Sequence, residues 1–224
     1  KNEKMNFYFI GVAIFLLICS LPLNTCETPF TLYLGKFVFY FLGILLGSVI
    51  TFIFFVKNKK AYYLLTGIGY ISLALGLLVQ LRYQSLLLPL ILMLLIWMND
   101  TMAYLTGSFI GKTKFIPWIS PDKTLEGLLG GFFFTFLFAF LWGYFTNWFP
   151  VAHWLVFAVI AGVVGTAGDL VESKLKRMAD IKDSGSLMPG HGGALDRFDS
   201  LLLTAPVAFL FALIFMKCFP YVVL

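Results

Sequence analysis

The sequence is poor in charge, in histidine and in cysteine. Only 12% of its 224 residues are charged and 60% are hydrophobic, with a mean hydropathy of +0.93. A typical soluble domain is roughly a quarter charged, so this composition excludes an ordinary soluble enzyme and a disordered tail. The same composition excludes a secreted disulfide scaffold. The three cysteines lack metal-ligand spacing, although Cys26 and Cys218 could face the same side and pair. The apolar runs do not alternate, which excludes an outer-membrane barrel and leaves a helical membrane protein.

Seven apolar runs are long enough to cross a bilayer, since a spanning helix needs about 20 mostly apolar residues. They cover 6–23, 35–56, 61–81, 85–106, 127–146, 153–175 and 200–219. We therefore predict an all-α, polytopic protein with seven to eight transmembrane helices, the eighth arising if one long segment is broken. It forms a single membrane domain over 1–224, with N-terminal helices over 1–98 and both polar loops within 99–224. The chain begins with Lys1, so we expect a longer precursor, and the first run lacks a cleavage site and is predicted to be a retained anchor.

The basic residues set the orientation, because cytoplasmic loops of membrane proteins carry the excess of Lys and Arg. With the N-terminus inside, thirteen of the 16 basic residues fall on the cytoplasmic side, and only Lys36, Arg82 and Lys217 fall outside. The polar loops 107–126 and 176–199 then both face the cytoplasm. The net charge of +5 follows from this bias and from a polyphosphate site, so no nucleic-acid partner is expected.

The acidic residues are concentrated at the same two loops. Nine of the eleven lie in or beside them: Asp100, Asp122, Glu126, Asp169, Glu172, Asp180, Asp183, Asp196 and Asp199. Ionisable groups at membrane depth are costly and usually face a cavity or an ion. We therefore place the functional site at the cytoplasmic face, around these acids.

The second polar loop combines carboxylates, basic residues and a glycine-rich turn. Asp169, Ser173 and Lys176 are spaced to share one helix face. A PGHGG run containing His191, Gly192 and Gly193 follows, and its small residues let backbone N–H groups approach an anion. The segment then ends with three charged residues, Asp196, Arg197 and Asp199. This set suits a nucleotide with its metal, although a positive-inside loop whose acids pair with its bases has the same composition.

The first polar loop supplies a second group of candidates. Asp100, Tyr104 and Gly107 share one face of the fourth span. The run SPDKTLEG resembles a helix start, which Ser120 or Asp122 could cap, with Lys123 and Thr124 available for phosphate. A capped helix with a solvated lysine is the alternative interpretation.

Both loops resemble signature blocks of one enzyme family. The segment SKLKRxxxxKDSGxxxPGHGGxLDRxDS, from Ser173 to Ser200, resembles the signature of the phosphatidate cytidylyltransferases, the CDP-diacylglycerol synthases. The segment from Asn99 to Gly127 resembles a second block of that family. Met188 and Ala194 depart from it, since larger aliphatic residues are commoner there, but neither should touch the chemistry.

The resemblance implies a reaction in which CTP and phosphatidate give CDP-diacylglycerol and pyrophosphate. Its cofactor would be Mg²⁺, with room for a second cation, held principally by Asp169 and Asp196 and next by Asp199. Lys176 completes the expected catalytic set. The expected substrate-binding residues are Ser173, Arg177, Lys182, Asp183, His191, Gly192, Gly193, Arg197, Asp100, Tyr104, Ser120, Lys123 and Thr124. His191 is expected to contact phosphate, because phosphatidate is already ionised and needs no general base.

The resemblance also bears on partners and location. It implies a homodimer in the lipid bilayer, and the compact length favours the bacterial cytoplasmic (inner) membrane, with the active site facing the cytoplasm. A CTP-dependent lipid kinase is the nearer alternative. A transporter or flippase is the more distant one, and would be expected to place its polar groups near the midplane of the bilayer. The pattern of the CDP-alcohol phosphotransferases is absent from the sequence.

Overall fold

The computed structural model describes residues 59–178, 181, 184, 193 and 195–216. Its elements are α1 (Lys59–Gln84), α2 (Leu87–Ile110), β1 (Lys114–Ile116), β2 (Ser120–Thr124), α3 (Leu125–Thr146), α4 (Val151–Val159), a π-helical turn (Ile160–Val164), α5 (Gly165–Met178) and α6 (Leu195–Phe215). Helix α1 belongs to a unit that ends at Gln84, and the elements from α2 onward form a second unit beginning at Ser85. Every residue discussed below lies in the second unit.

Four described helices are long and apolar enough to cross a membrane: Leu87–Ile110, Leu125–Thr146, Val151–Arg177 and Asp196–Phe215. They confirm the four predicted spans 85–106, 127–146, 153–175 and 200–219, and the run 61–81 is also helical, within α1. The predicted spans 6–23 and 35–56, together with Cys26 and Cys218, lie outside the described residues.

The region predicted as the polar loop 107–126 is more ordered than expected, and the all-α prediction needs a correction there. Helix α2 continues to Ile110, and β1 and β2 then form a two-stranded antiparallel sheet. In its register Lys114 lies opposite Thr124, and Ile116 opposite Ser120. The protein is therefore mostly helical, with one β-hairpin joining α2 to α3.

Two glycines allow α3 to pack closely against α2. A Cβ atom on Gly127 would lie 2.6 Å from the carbonyl oxygen of Ala103, and one on Gly131 would lie 2.8 Å from that of Asn99. Any larger side chain would push the helices apart, since cores have little room for added atoms. This close packing fixes the hairpin, and with it Lys123, relative to α2.

The helix that carries Asp169 is continuous with α4 through the π-helical turn. The whole segment Val151–Arg177 forms one 27-residue span. At Gly162, inside the π turn, the ring of Phe132 comes so close that an added Cβ would lie 2.4 Å from its Cε1 atom. π turns within α-helices occur frequently at functional sites, and this one directly precedes the polar end of the span.

Gly168 brings the first turn of α6 against α5. A Cβ atom on Gly168 would lie 2.9 Å from the carbonyl oxygen of Asp199, whereas one on Gly165 would meet nothing closer than 3.5 Å. We expect Gly168→Ala to destabilise the protein by about 1–3 kcal/mol, because α6 must shift. Gly165→Ala, on the same helix, is the matched control and should be neutral or stabilising, since alanine favours helix. Thermal unfolding of both variants in detergent measures the difference, and equal midpoints would contradict this packing.

Candidate active site

Lys123 and Asp169 form an ion pair that joins the hairpin to α5. The Lys123 ammonium group donates a hydrogen bond to Asp169 Oδ2 across a sequence separation of 46 residues. Ser173, one helical turn after Asp169, donates from Oγ to Asp169 Oδ1 at 3.4 Å. The predicted shared face of Asp169 and Ser173 is therefore confirmed, and Asp169 has donors at both carboxylate oxygens.

Thr124 fixes the direction in which the hairpin enters α3. Its Oγ1 accepts a hydrogen bond from the backbone N–H of Gly127 at 3.1 Å, so Thr124 is the N-cap of α3. The predicted cap at Ser120 or Asp122 is wrong, because strand β2 continues through both residues and ends at Thr124. Glu126, in the first turn of α3, accepts hydrogen bonds from the backbone N–H groups of Lys112 and Thr113.

Asp196 accepts hydrogen bonds from the end of α5 and from two residues of the segment between α5 and α6. Its Oδ1 accepts a hydrogen bond from Lys176 Nζ at 2.9 Å, and its Oδ2 accepts one from the backbone N–H of Gly193 at 2.7 Å. The backbone N–H of Ser184 lies 3.2 Å from Oδ1 and 3.0 Å from Oδ2. A carboxylate with several donors of this kind organises the backbone around it.

Glu172 is a buried acid that the sequence did not single out as a site residue. Only 8% of it is exposed, and neither carboxylate oxygen accepts a hydrogen bond from a described donor. Lys176, one turn later on α5, lies 3.6 Å from its Oε1, and the Asp199 carboxylate is close enough to interact with it electrostatically. Its position four residues before Lys176 was the signal that could have identified it.

Asp100 on α2 completes a group of four carboxylates. It lies close enough to Lys123, Asp169 and Asp199 for direct electrostatic interaction, and Asp199 in turn lies beside Asp169. The Asn99 side chain donates to Asp100 Oδ1 at 3.4 Å and to Thr166 Oγ1 at 3.5 Å, which ties α2 to α5 at this level. We call Asp100, Asp169, Glu172 and Asp199 the acid cluster.

The acid cluster suits a hard divalent cation, although it is not a closed cage. Among the described residues, no three His, Cys, Asp or Glu side chains are arranged to hold a metal ion by themselves. Mg²⁺ usually takes only one or two protein carboxylates and completes its shell with phosphate and water. The neighbouring Asp169 and Asp199, together with the buried carboxylate of Glu172, meet that requirement.

The structure brings most of the predicted site residues to one place. These are Asp100, Lys123, Asp169, Ser173, Lys176, Gly193, Asp196, Arg197 and Asp199. Four others, Lys182, Asp183, His191 and Gly192, lie outside the described residues.

Four further predicted site residues are described by the structure, but no contact places them in this group. The Thr124 hydroxyl already caps α3, and Ser120 lies in β2. Tyr104 is 75% exposed on α2, and Arg177 is exposed near the end of α5. Substrate contacts by these four residues stay predictions.

Comparison with known proteins gives a consistent result. A family model described as the cytidylyltransferase family matches residues 1–215. The chain is 38% identical over 157 residues to the phosphatidate cytidylyltransferase of Staphylococcus aureus (strain COL), an alignment covering 67% of this chain and 60% of that protein. The phosphatidate cytidylyltransferases of Staphylococcus saprophyticus and Staphylococcus epidermidis are 38% and 36% identical over the same shares. The matched region thus spans about 60% of the length of these relatives.

Proposed function

Because the chain belongs to the cytidylyltransferase family, we propose that it transfers the cytidylyl group of CTP to phosphatidate. The products are CDP-diacylglycerol and pyrophosphate. The observation that carries this proposal is the acid cluster with its lysines, gathered from α2, the hairpin, α5 and α6. Relatives named phosphatidate cytidylyltransferase support the choice of substrates.

The proposed reaction is an in-line displacement at the α-phosphorus of CTP. A phosphate oxygen of phosphatidate forms the new P–O bond, and the bond from the α-phosphorus to the bridging oxygen breaks, so pyrophosphate leaves with that electron pair. No proton has to be removed from the nucleophile, because the lipid phosphate is already ionised. Both reactants are anions, so the main task of the protein is to align them and to neutralise their repulsion.

The basic residues of the site are the proposed phosphate ligands. Lys123 is held over the acid cluster by Asp169, and Lys176 is held between Glu172 and Asp196. Each ammonium group is thus fixed before substrate arrives, which reduces the reorganisation needed in the transition state. Arg197, at the start of α6, adds a planar guanidinium that can bind phosphate through two hydrogen bonds.

Asp169 and Asp199 are the proposed ligands of Mg²⁺. The carboxylate of Glu172 would be available as a ligand if a second cation binds. When bound, such an ion neutralises charge on the phosphate oxygens and aligns the reacting groups. Asp196, predicted together with Asp169 as a principal ligand, would first have to exchange a hydrogen bond from Lys176, Ser184 or Gly193. Its proposed role therefore includes holding the Ser184 and Gly193 backbone beside Lys176.

The proposal extends to the surroundings of the site. The described spans and the bacterial relatives support an integral membrane protein. We place the acid cluster at the cytoplasmic side of the inner membrane, where CTP is available, and keep the acyl chains of phosphatidate in the bilayer. A homodimer is the proposed assembly, on the strength of the family resemblance.

Turnover should depend fully on a divalent cation. Removing it with a chelator is expected to stop pyrophosphate release, and adding Mg²⁺ back should restore one pyrophosphate for each CDP-diacylglycerol formed. The control is the same chelator already saturated with Ca²⁺. It cannot remove Mg²⁺ and should therefore not inhibit turnover. Full turnover in excess chelator would overturn the cation assignment, and pyrophosphate release without phosphatidate would overturn the proposed acceptor.

A further inference from the structure

A cavity of about 300 Å³ lies between α2 and α6, next to the acid cluster. Its polar end is formed by Asp100, Arg197 and Asp199. The cavity therefore opens directly onto the proposed place of reaction. Two of its lining residues, Asp100 and Asp199, belong to the acid cluster itself.

The other end of the cavity is apolar. Met93, Ile96 and Trp97 line it from α2, and Leu201 lines it from α6. Met93, Ile96 and Trp97 precede Asp100 by seven, four and three residues, so they share its helix face. With a rise of about 1.5 Å per residue, this wall extends roughly 10 Å along α2 from the acid cluster. A ligand that fits must have a polar headgroup and an apolar part at this spacing. Because Asp100 and Asp199 outnumber Arg197, a phosphate headgroup fits there only together with a cation.

The rim of the cavity is aromatic and open to the side. Trp97 is 58% exposed and Phe198 is 43% exposed, and both belong to membrane-spanning helices. Exposed aromatic side chains on such helices contact lipid, and tryptophan favours the zone where chains meet headgroups. The mouth is therefore accessible from the bilayer as well as from the acid cluster.

We propose that this cavity holds the phosphate, glycerol and ester region of an anionic glycerolipid, with Trp97 as a lipid-specificity residue. The inference rests on the proposed function, in which phosphatidate is that lipid. Pockets for whole small molecules range from about 300 to 1,000 Å³, so this one takes a headgroup while the acyl chains stay outside. Arg197 receives the phosphate, and the wall of Met93, Ile96 and Trp97 receives the first methylene groups.

The two ends of the cavity respond differently to a cation. Asp100 and Asp199 repel a phosphate group until positive charge lies between them, whereas the apolar wall carries no charge. Lipid contact at Trp97 should therefore persist without metal, whereas a preference for an anionic lipid should require the cation. Both effects can be measured without turnover, in the absence of CTP.

Kinetics of two tryptophan variants provide the first test. Trp97→Ala should raise the KM for phosphatidate about tenfold and leave the KM for CTP unchanged, since a large apolar contact is lost. Trp118→Ala is the matched control, because Trp118 is 78% exposed on the hairpin, outside the cavity. Trp97→Phe keeps an aromatic contact and should remain near the parent protein, which excludes misfolding as the cause. Equal phosphatidate KM values for Trp97→Ala and Trp118→Ala would overturn the proposal.

Fluorescence quenching tests binding directly, in vesicles with Mg²⁺ and no CTP. Phosphatidate brominated on its acyl chains should quench Trp97 at a lower mole fraction than brominated phosphatidylcholine does. The contribution of Trp97 is the difference in quenching between the parent protein and Trp97→Phe. Equal quenching by the two lipids overturns the lipid site. Selective quenching in a protein that makes no CDP-diacylglycerol would instead overturn the proposed function and leave this site standing.

Discussion

Asp169→Asn should abolish CDP-diacylglycerol formation, with a loss of at least about 10³-fold in turnover. Asp169 accepts hydrogen bonds from Lys123 and Ser173 and lies beside Asp199, so the substitution removes charge from the centre of the acid cluster. It removes the ion pair with Lys123 and, at the same time, one of the proposed cation ligands. The measurement is the rate of product formation with purified protein, CTP and phosphatidate in mixed micelles.

The control for Asp169→Asn must distinguish a loss of catalytic activity in a folded protein from a failure to fold. Asp169→Glu keeps the charge and should retain a measurable fraction of activity, although its longer side chain displaces the carboxylate. Both variants should elute as the parent protein does in size-exclusion chromatography and unfold at similar temperatures. A folded Asp169→Asn variant with nearly normal turnover would remove Asp169 from the mechanism.

Lys123→Ala should lower turnover by about 10² to 10³-fold, the loss typical when one preorganised charged donor is removed. The Lys123 ammonium group is the hairpin's contribution to the site, paired with Asp169 and close to Asp100. Without it the acid cluster carries more uncompensated negative charge, and both substrates are anions. The effect should appear in kcat and in the KM for CTP.

Lys114 provides the matched control for Lys123, because it lies on the neighbouring strand and is exposed. Lys114→Ala should leave turnover within about twofold of the parent, as expected for an exposed lysine whose surface charge contributes little. Lys123→Arg keeps the positive charge and should recover part of the activity lost in Lys123→Ala. Equal turnover in the Lys114 and Lys123 alanine variants would show that the Lys123 side chain takes no part in the reaction.

The local features of this site could be predicted from the sequence, because helical spacing determines them. The apolar runs located the four described spans to within a few residues, and the shared face of Asp169 and Ser173 follows from their four-residue separation. Lys176 continues that face of α5, and its partners there are Glu172 and Asp196. The spacing could not predict these partners, because Asp196 comes from α6.

The long-range features could not be predicted in the same way. The contact between Lys123 and Asp169 joins residues 46 apart and depends on the close packing of α3 on α2 at Gly127 and Gly131. The hairpin itself was missed because β1 has only three residues and follows a helix. The cap was assigned to Ser120 or Asp122 because neither spacing nor composition shows how far a strand continues.

Glu172 illustrates a different limit of sequence reasoning. Helical spacing gives Asp169 and Ser173 a shared face, whereas for Glu172 the sequence shows only an acid near a helix end. Only the tertiary arrangement reveals that it is buried, with Lys176 and Asp199 beside it. Burial of a carboxylate is costly even beside a lysine, and a second carboxylate next to it adds repulsion, so such an arrangement is typical of a functional site.

Doubly labelled CTP tests the proposed reaction most directly. The purified protein is incubated with phosphatidate, Mg²⁺ and CTP that carries one isotope in the cytidine and another in the γ-phosphate, and the lipid is then extracted. Cytidylyl transfer places the cytidine label in the lipid and the γ-phosphate label in pyrophosphate, with Asp169→Asn showing neither. A lipid that carries the γ-phosphate label without cytidine would establish a kinase and contradict the proposed function.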